Sequence, residues 1–275
     1  MKMRLLCLFL LALLVPVVAQ AKDKESVYAH IQETKTIRCG YTVWDPLFTI
    51  DAKTGEKGGI FHDVMEEIGK RLDIKIVWQE ELGWDTSLES VKNGRVDMAC
   101  AGYWLNAPRI QNALSSTAQL YSPLYVWMRE DDKRVLKIEE LNSNKFSVAE
   151  IDGSAENQNI AIHFQKVKIV SLPELDSTPD KIMNLITKKV DFITADISTM
   201  KDYMAKNPGK VRNAFPDQPI ALFPTVMLLP PDDFRLKDLL DNTLRGIEYD
   251  GTLDTILQKY HVEHDYLRNP LPSAR

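Results

Sequence analysis

The fold is decided by residues 36–78, where two short apolar stretches flank a longer amphipathic one. The three read TIRCGY (36–41), GIFHDVMEEIGKRL (59–72) and IKIVW (74–78). In the middle stretch apolar residues recur every four positions from Ile60 to Leu72, while charged residues take the other face, which predicts a helix. The flanking stretches predict buried strands. A strand, a helix and a strand in this order predict parallel strands joined by a right-handed crossover.

The same alternation continues and then restarts, so the chain contains two α/β units. Strands are predicted over 36–41, 74–78 and 96–101 in the first unit and over 146–151, 167–171 and 190–194 in the second. Helices are predicted over 59–72, 86–92, 155–164, 178–188 and 197–205. Extended stretches over 120–128 and 222–229 could join the units, followed by helices over 236–249 and 252–260. Residues 22–35 are interpreted as a polar lead-in and 263–275 as an irregular tail.

These elements predict an α/β protein with two lobes, each a mainly parallel sheet flanked by helices, joined by two hinge strands. The last two helices have no place in the second unit, so we expect the chain to cross back to the first. The predicted division is lobe 1 over 22–124 and 225–275, and lobe 2 over 125–224. Apolar residues are 44% of the 275 and charged residues 27%, which are ordinary globular proportions.

The first residues are typical of a secretory signal peptide. Lys2 and Arg4 precede a short apolar run, and Ala19-Gln20-Ala21 is a suitable cleavage site. We therefore predict cleavage after Ala21 and a periplasmic protein. Removing residues 1–21 removes two positive charges and no negative ones, so the formal net charge goes from −5 to −7. An acidic chain argues against nucleic acid as a partner.

Candidate binding residues follow the predicted strands, because ligands of open α/β sheets bind beyond the carboxyl ends of the strands. They are Tyr41, Trp44, Gly102, Trp104 and Arg109 in the first unit and Gly153, Ser154 and Asp196 in the second. A guanidinium holds a carboxylate bidentately, a helix N-terminus adds N–H donors, and an aspartate accepts from an ammonium group. The set suits a small zwitterion held between the lobes.

At these residues the chain resembles the periplasmic solute-binding proteins of ABC importers, in the branch that binds polar amino acids. This is bacterial extracellular solute-binding protein family 3, with the type II periplasmic binding fold. The resemblance runs through 37–40, 44–46, 59–64, 94–97, 102–109, 153–154, 190–196 and 251–253. It implies a monomer that binds an amino-acid-like small molecule, needs no cofactor and no metal, and docks on a membrane permease.

The resemblance also implies residue roles. Arg109 falls on the position that binds the ligand carboxylate and Asp196 on the one that binds its ammonium group. The backbone of the Gly153, Ser154 and Ala155 turn matches a second carboxylate contact. Trp44 and Ile60 match positions that form the walls of the pocket.

Two positions depart from the family pattern. Gly102 fits a position for small residues, but Trp104 replaces a small or hydroxyl residue that helps to hold the carboxylate. Tyr41 stands about where an acidic residue often meets the ammonium group. The pocket is therefore expected to be more aromatic than usual, which leaves open a ligand other than a standard α-amino acid.

Cys39 and Cys100 are the two cysteines of the predicted mature chain, on the first and third predicted strands. These strands are neighbours in the fold that the resemblance implies, and adjacent strands permit the Cα separation that a disulfide needs. A disulfide in the oxidising periplasm and a pair of buried thiols both remain open.

The predicted function is non-catalytic capture of a small polar solute, an amino acid or a derivative, for delivery to an ABC transporter. One alternative is a periplasmic dehydratase-like enzyme on the same fold. It would need a general acid in the cleft, with Glu150, Asp152 and Glu156 as candidates. Another is a ligand-binding accessory or sensor module that docks on a periplasmic partner.

Overall fold

The computed structural model describes residues 26–268. The predicted signal peptide (1–21) and the end of the predicted tail lie outside the described residues. The strands are β1 (Thr36–Tyr41), β2 (Thr49–Ile50), β3 (Lys57–Gly58), β4 (Lys75–Glu81), β5 (Met98–Trp104), β6 (Leu114–Ser115), β7 (Leu120–Arg129), β8 (Ser147–Ile151), β9 (Lys168–Leu172), β10 (Phe192–Asp196), β11 (Val211–Asn213) and β12 (Ala221–Leu229). The helices are α1 (Val27–Thr34), α2 (Ile60–Leu72), α3 (Thr86–Lys92), α4 (Ala107–Asn112), α5 (Glu156–His163), α6 (Thr178–Ile186), α7 (Ile197–Lys206), α8 (Phe234–Tyr249) and α9 (Thr252–Lys259), with a 3₁₀ turn at Ile138–Leu141.

The main sheet has the strand order β4-β1-β5-β12-β7-β10-β8-β9, and its two ends repeat one pattern. At one end β1 lies parallel between β4 and β5, and at the other β8 lies parallel between β9 and β10. The long strands β7 and β12 run antiparallel to each other, pairing Leu120–Leu124 with Ala221–Thr225. Beyond this crossing, β12 pairs with β5 and β7 pairs with β10. The predicted fold class, a two-lobed α/β protein, is confirmed.

The core of the first lobe shows why the chain crosses back. Buried residues of α2, such as Val64 and Ile68, pack against Leu240 and Leu244 of α8 and Leu253 of α9 in one apolar cluster. The apolar faces of these last two helices therefore complete the first lobe. The second lobe has its own clusters on either face of β8 and β10. We propose that the lobes divide at residues 124/125 and 224/225.

The structure also corrects parts of the sequence reading. The predicted lead-in is wrong from Val27 onwards, where α1 begins with Ser26 as its N-cap and buries Ile31. Helix α4, the hairpin β2–β3 and the short strands β6 and β11 were not predicted, because none exceeds six residues and periodicity needs a longer window. No helix among residues 26–268 is long and apolar enough to cross a membrane.

Candidate solute-binding cleft

A cleft of about 830 Å³ lies between the two lobes, within the range of small-molecule sites. The first lobe contributes residues at or after the ends of β1, β4 and β5, and the second contributes residues at or after the ends of β8, β9 and β10. The lining residues include Val43, Trp44, Pro46, Trp84, Trp104 and Arg109 from the first lobe and Ile151, Ser154, Ala155, Glu156, Pro179, Ile182, Ala195, Asp196, Ser198 and Thr199 from the second.

Arg109 is buried in the cleft wall, with 3% of its surface exposed. It lies in the short helix α4, where the Asn106 side chain caps the helix by accepting a hydrogen bond from the Arg109 amide (3.1 Å). The guanidinium donates to the backbone carbonyls of Trp104 and Trp84, both at 2.6 Å. Among residues 26–268 no carboxylate lies within 4.0 Å of it. Burial lowers the pKa of Arg109 to about 10, so this cation would be stabilised by an anion entering the cleft.

Asp196 ends β10 and is 2% exposed. Its carboxylate caps α7 by accepting from the Thr199 amide (3.0 Å), and it also accepts from the hydroxyls of Thr199 (2.8 Å) and Ser198. The capping role that Asp residues often have is therefore present. Asp196 also lines the cleft, on the lobe opposite Arg109.

Three tryptophans line the first-lobe side of the cleft. The Trp44 ring makes edge-to-face contacts with Trp84 (5.5 Å, 77°) and with Trp104 (4.9 Å, 84°). Trp44 and Trp104 were candidates from the sequence, whereas Trp84 was missed. It comes shortly after β4, so the rule that singled out residues following the first and third strands would have found it at the second.

The turn before α5 forms part of the second-lobe wall. Ser154 and Ala155 line the cleft. The Ser154 hydroxyl is buried and has no hydrogen-bond partner among residues 26–268. Gly153 has a φ of +75°, and a Cβ added to it would lie 2.7 Å from the backbone nitrogen of Asp85 on the other lobe. The glycine is thus required both by its conformation and by the approach of the two lobes.

Three residues that the sequence analysis predicted to bind the ligand do not line the cleft, so this part of the prediction is corrected. Ile60 is fully buried in the first-lobe core, because it begins α2 and faces inward. Tyr41 stacks on Phe48 at 4.7 Å and sits in a separate aromatic cluster. Gly102 has a φ of +86° and packs against the Phe61 ring. A Cβ added to Gly102 would lie 2.8 Å from the nearest carbon of that ring.

A buried charged cluster behind the second-lobe wall was also missed. Lys181 donates to Glu156 at 2.7 Å and to Glu150 at 3.5 Å, and Glu150 accepts from the Thr194 hydroxyl at 2.9 Å. Burial raises the pKa of Glu150 to about 8 and also raises the pKa of Glu156. Of the three acids considered as catalysts, Glu156 lines the cleft, Glu150 is enclosed behind it and Asp152 is exposed.

Hydrogen bonds join the lobes around the cleft. The Trp44 indole N–H donates to the Thr199 hydroxyl at 3.2 Å. The Glu174 carboxylate accepts from the amides of Asp85 and Thr86, each at 3.2 Å, at the beginning of α3. The lobes are therefore in direct contact at two places.

The fold and the cleft define a two-lobed α/β binding protein with a solute site between its lobes. The chain belongs to the bacterial extracellular solute-binding proteins, family 3, whose family model matches residues 37–263. The resemblance drawn from the sequence is thereby confirmed.

Individual relatives agree with this membership. The chain is 27% identical over 209 residues to a probable histidine-binding protein of Campylobacter jejuni, covering 74% of this chain and 77% of that protein. It is 25% identical over 250 residues to the membrane-bound lytic murein transglycosylase F of Photobacterium profundum, covering 86% of this chain but 46% of that enzyme. The crystal structure of an ancestral amino acid-binding protein, a precursor of cyclohexadienyl dehydratase, matches with a TM-score of 0.74 at 19% identity, covering 86% of this chain and 99% of that one.

Proposed function

We propose that this protein captures an amino acid or a derivative in the periplasm, after cleavage at Ala21, and delivers it to the permease of an ABC transporter. The observation that carries the proposal is Arg109, a buried cation in the interlobe cleft whose guanidinium donates to two backbone carbonyls and has no carboxylate within 4.0 Å among residues 26–268. The amino-acid-binding relative in Campylobacter jejuni supports the solute class.

In this proposal Arg109 holds the anionic end of the solute, and Asp196 on the opposite lobe faces its cationic end. The free Ser154 hydroxyl and the backbone of the 153–155 turn offer further contacts to the anion. Closure satisfies both ends at once, because each lobe carries one of the two charges.

The test is a thermal-shift screen of the purified mature protein against the standard amino acids, followed by calorimetry on Arg109→Ala. A true ligand at 100 times its dissociation constant stabilises the folded state by about 2.7 kcal/mol. Losing a buried charged partner costs about 2–5 kcal/mol, so we expect Arg109→Ala to weaken binding by a factor of about 30 to several thousand.

Two further variants sharpen this experiment. Arg109→Lys keeps the charge but loses the planar fork, so its affinity should lie between those of the wild type and Arg109→Ala. Arg245→Ala is the matched control, because this exposed arginine bonds to Asn242 on the surface of α8. An unchanged dissociation constant in Arg109→Ala would refute the assigned role.

The dehydratase-like alternative is favoured by one feature, the presence of Glu156 in the cleft with a raised pKa. We propose binding without catalysis, because the Glu156 carboxylate is held by the buried Lys181 ammonium at 2.7 Å and Glu150 and Asp152 do not line the cleft. Product formation on incubation with cyclic amino-acid precursors would overturn this part of the proposal.

A further inference from the structure

The wall of the cleft carries more aromatic surface than a small polar solute needs. The rings of Trp44, Trp84 and Trp104 all line it, and Trp44 touches both of the others edge to face. Aromatic rings attract one another in edge-to-face and offset-stacked geometries beyond the effect of buried area alone. A solute with a flat ring would add to this arrangement.

Each of the three rings is held by a contact of its own. Trp104 stacks on Phe223 at 4.4 Å and 5°, and its indole N–H donates to Thr225 on β12. Trp84 packs edge to face on Tyr103 at 5.8 Å. The Trp44 indole is held by Thr199. Trp84 and Trp104 are held by residues of β5 and β12, so they lose little conformational entropy when a solute packs on them, whereas the contact that holds Trp44 joins the two lobes.

The second-lobe side of the cleft combines aliphatic with polar groups. Its aliphatic lining residues include Ile151, Ala155, Pro179, Ile182 and Ala195, and its polar ones include Ser177, Thr178, Ser198 and Thr199. A polar group of the solute placed against the aliphatic residues would lose its bonds to water without replacement, which is unfavourable. An apolar group of the solute would lose nothing of this kind.

Of the buried charged side chains that line the cleft, one cation has no ion-pair partner among residues 26–268. Three buried charged side chains line it: Arg109, Glu156 and Asp196. Glu156 is paired with Lys181, and the Asp196 carboxylate accepts hydrogen bonds from two neighbouring residues. Arg109 has no carboxylate within 4.0 Å among residues 26–268, so the strongest requirement on a solute is a carboxylate.

We propose that the solute is an aromatic carboxylate, whose carboxylate binds Arg109 while its ring packs against Trp44, Trp84 and Trp104. This rests on the proposed function, since it names the class of solute for the same cleft. The aromatic carboxylate has two sources, an aromatic α-amino acid or a deaminated aromatic acid. Both compounds have a carboxylate and a flat ring. They differ in that only the α-amino acid has an ammonium group that could reach Asp196.

The test is calorimetry of the purified mature protein with five compounds: L-phenylalanine, L-tryptophan, 3-phenylpropionate, L-cyclohexylalanine and L-glutamine. Cyclohexylalanine has the carbon skeleton of phenylalanine without its flat ring. We expect at least one aromatic compound to bind about 2- to 12-fold more tightly than cyclohexylalanine for each ring contact made, and at least tenfold more tightly than glutamine. The comparison of phenylalanine with 3-phenylpropionate identifies the source.

Trp84→Leu tests the wall itself. It should lower the affinity for the aromatic compound by about 2- to 12-fold and reduce the preference over cyclohexylalanine. Trp78→Leu is the matched control, because Trp78 is also half-buried but lies in the Tyr41–Phe48 aromatic cluster outside the cleft lining. If Trp84→Leu does not fold, Trp44→Leu takes its place. The readout remains the ratio of the affinity for the aromatic compound to the affinity for cyclohexylalanine.

The failures of the two proposals are distinguishable. If glutamine binds more tightly than every aromatic compound, and does so through Arg109, the inference fails and the proposed function stands. If none of the five compounds and none of the standard amino acids binds at millimolar concentration, the proposed function fails as well.

Discussion

Glu150 lies in an environment very different from that of an ordinary surface carboxylate. It is fully buried, accepts from the Thr194 hydroxyl and lies 3.5 Å from the Lys181 ammonium. Burial raises its pKa to about 8 in the folded protein, whereas an unfolded glutamate titrates near pH 4.3. The stability from this group is therefore fully present below about pH 4.3 and is lost as the pH rises through about 8.

Glu150→Gln should remove this pH dependence, because the amide stays neutral and can still accept from Thr194. Relative to the wild type, the variant should gain free energy of unfolding as the pH rises from 5 to 8, by at most about 1.4 kcal/mol per pH unit. Urea unfolding at several pH values measures the difference. Glu89→Gln, at an exposed position on α3, is the control and should leave the slope unchanged. If the free energy of unfolding changes with pH in the same way in Glu150→Gln and in the wild type, the raised pKa of Glu150 is contradicted.

At the scale of the elements, a disulfide links two neighbouring strands of the first lobe. Cys39 on β1 and Cys100 on β5 are joined by a disulfide, with their Cα atoms 5.5 Å apart and a sequence separation of 61. Both sulfurs are buried, and β1 and β5 are neighbouring parallel strands. The loop closed by this bond contains α2, β4 and α3, so the bond restricts this part of the unfolded chain.

Replacing both cysteines by alanine should lower the free energy of unfolding by about 2–4 kcal/mol, mainly because the unfolded chain is less restricted. Denaturant unfolding of the double variant measures the loss. The affinity for the solute should change little, since neither residue lines the cleft. A count of free thiols in denatured, unreduced mature protein should find none, and two free thiols would show that the bond does not form.

At the scale of the whole molecule, closure brings backbone of one lobe against backbone of the other. Gly153 meets Asp85 across the cleft, and Glu174 accepts from two amides at the beginning of α3. These contacts involve residues that follow β8, β9 and β4, so they lie at the same edge as the solute site. Capture of the solute and contact between the lobes are therefore linked.

Gly153→Ala should weaken solute binding by about 5- to 100-fold, because the added methyl group overlaps Asp85 when the lobes close, and such overpacking costs about 1–3 kcal/mol. Gly209→Ala is the matched control. Gly209 has nearly the same backbone angle, +73° against +75°, but nothing lies within 4 Å of its added Cβ. Calorimetry with the tightest ligand of the screen compares the two variants. Equal affinities would mean that closure does not need this contact.

The local pattern of the sequence determined most of the elements and the order in which they occur. The four-residue repeat from Ile60 to Leu72 predicts α2, and the alternation of strands and helices predicts two units of parallel strands with a cleft at their carboxyl edges. In the structure β7 and β12 join the two units into one sheet. Arg109 and Asp196 could be placed near that edge for the same reason. The physical basis is that side chains repeat every 3.6 residues in a helix and every two in a strand, and both periods are visible in one segment of chain.

Only the tertiary structure decided which side chains meet. The direction of a side chain after a strand depends on what packs behind it, which is why Tyr41 and Ile60 turn into the first lobe while Trp84 turns into the cleft. Lys181 and Glu150 lie 31 residues apart in sequence. Their contact depends on how α6 packs on β8, and the repeat pattern of neither element contains that information. Sequence periodicity is a property of one segment, whereas a binding site is a property of several segments packed together.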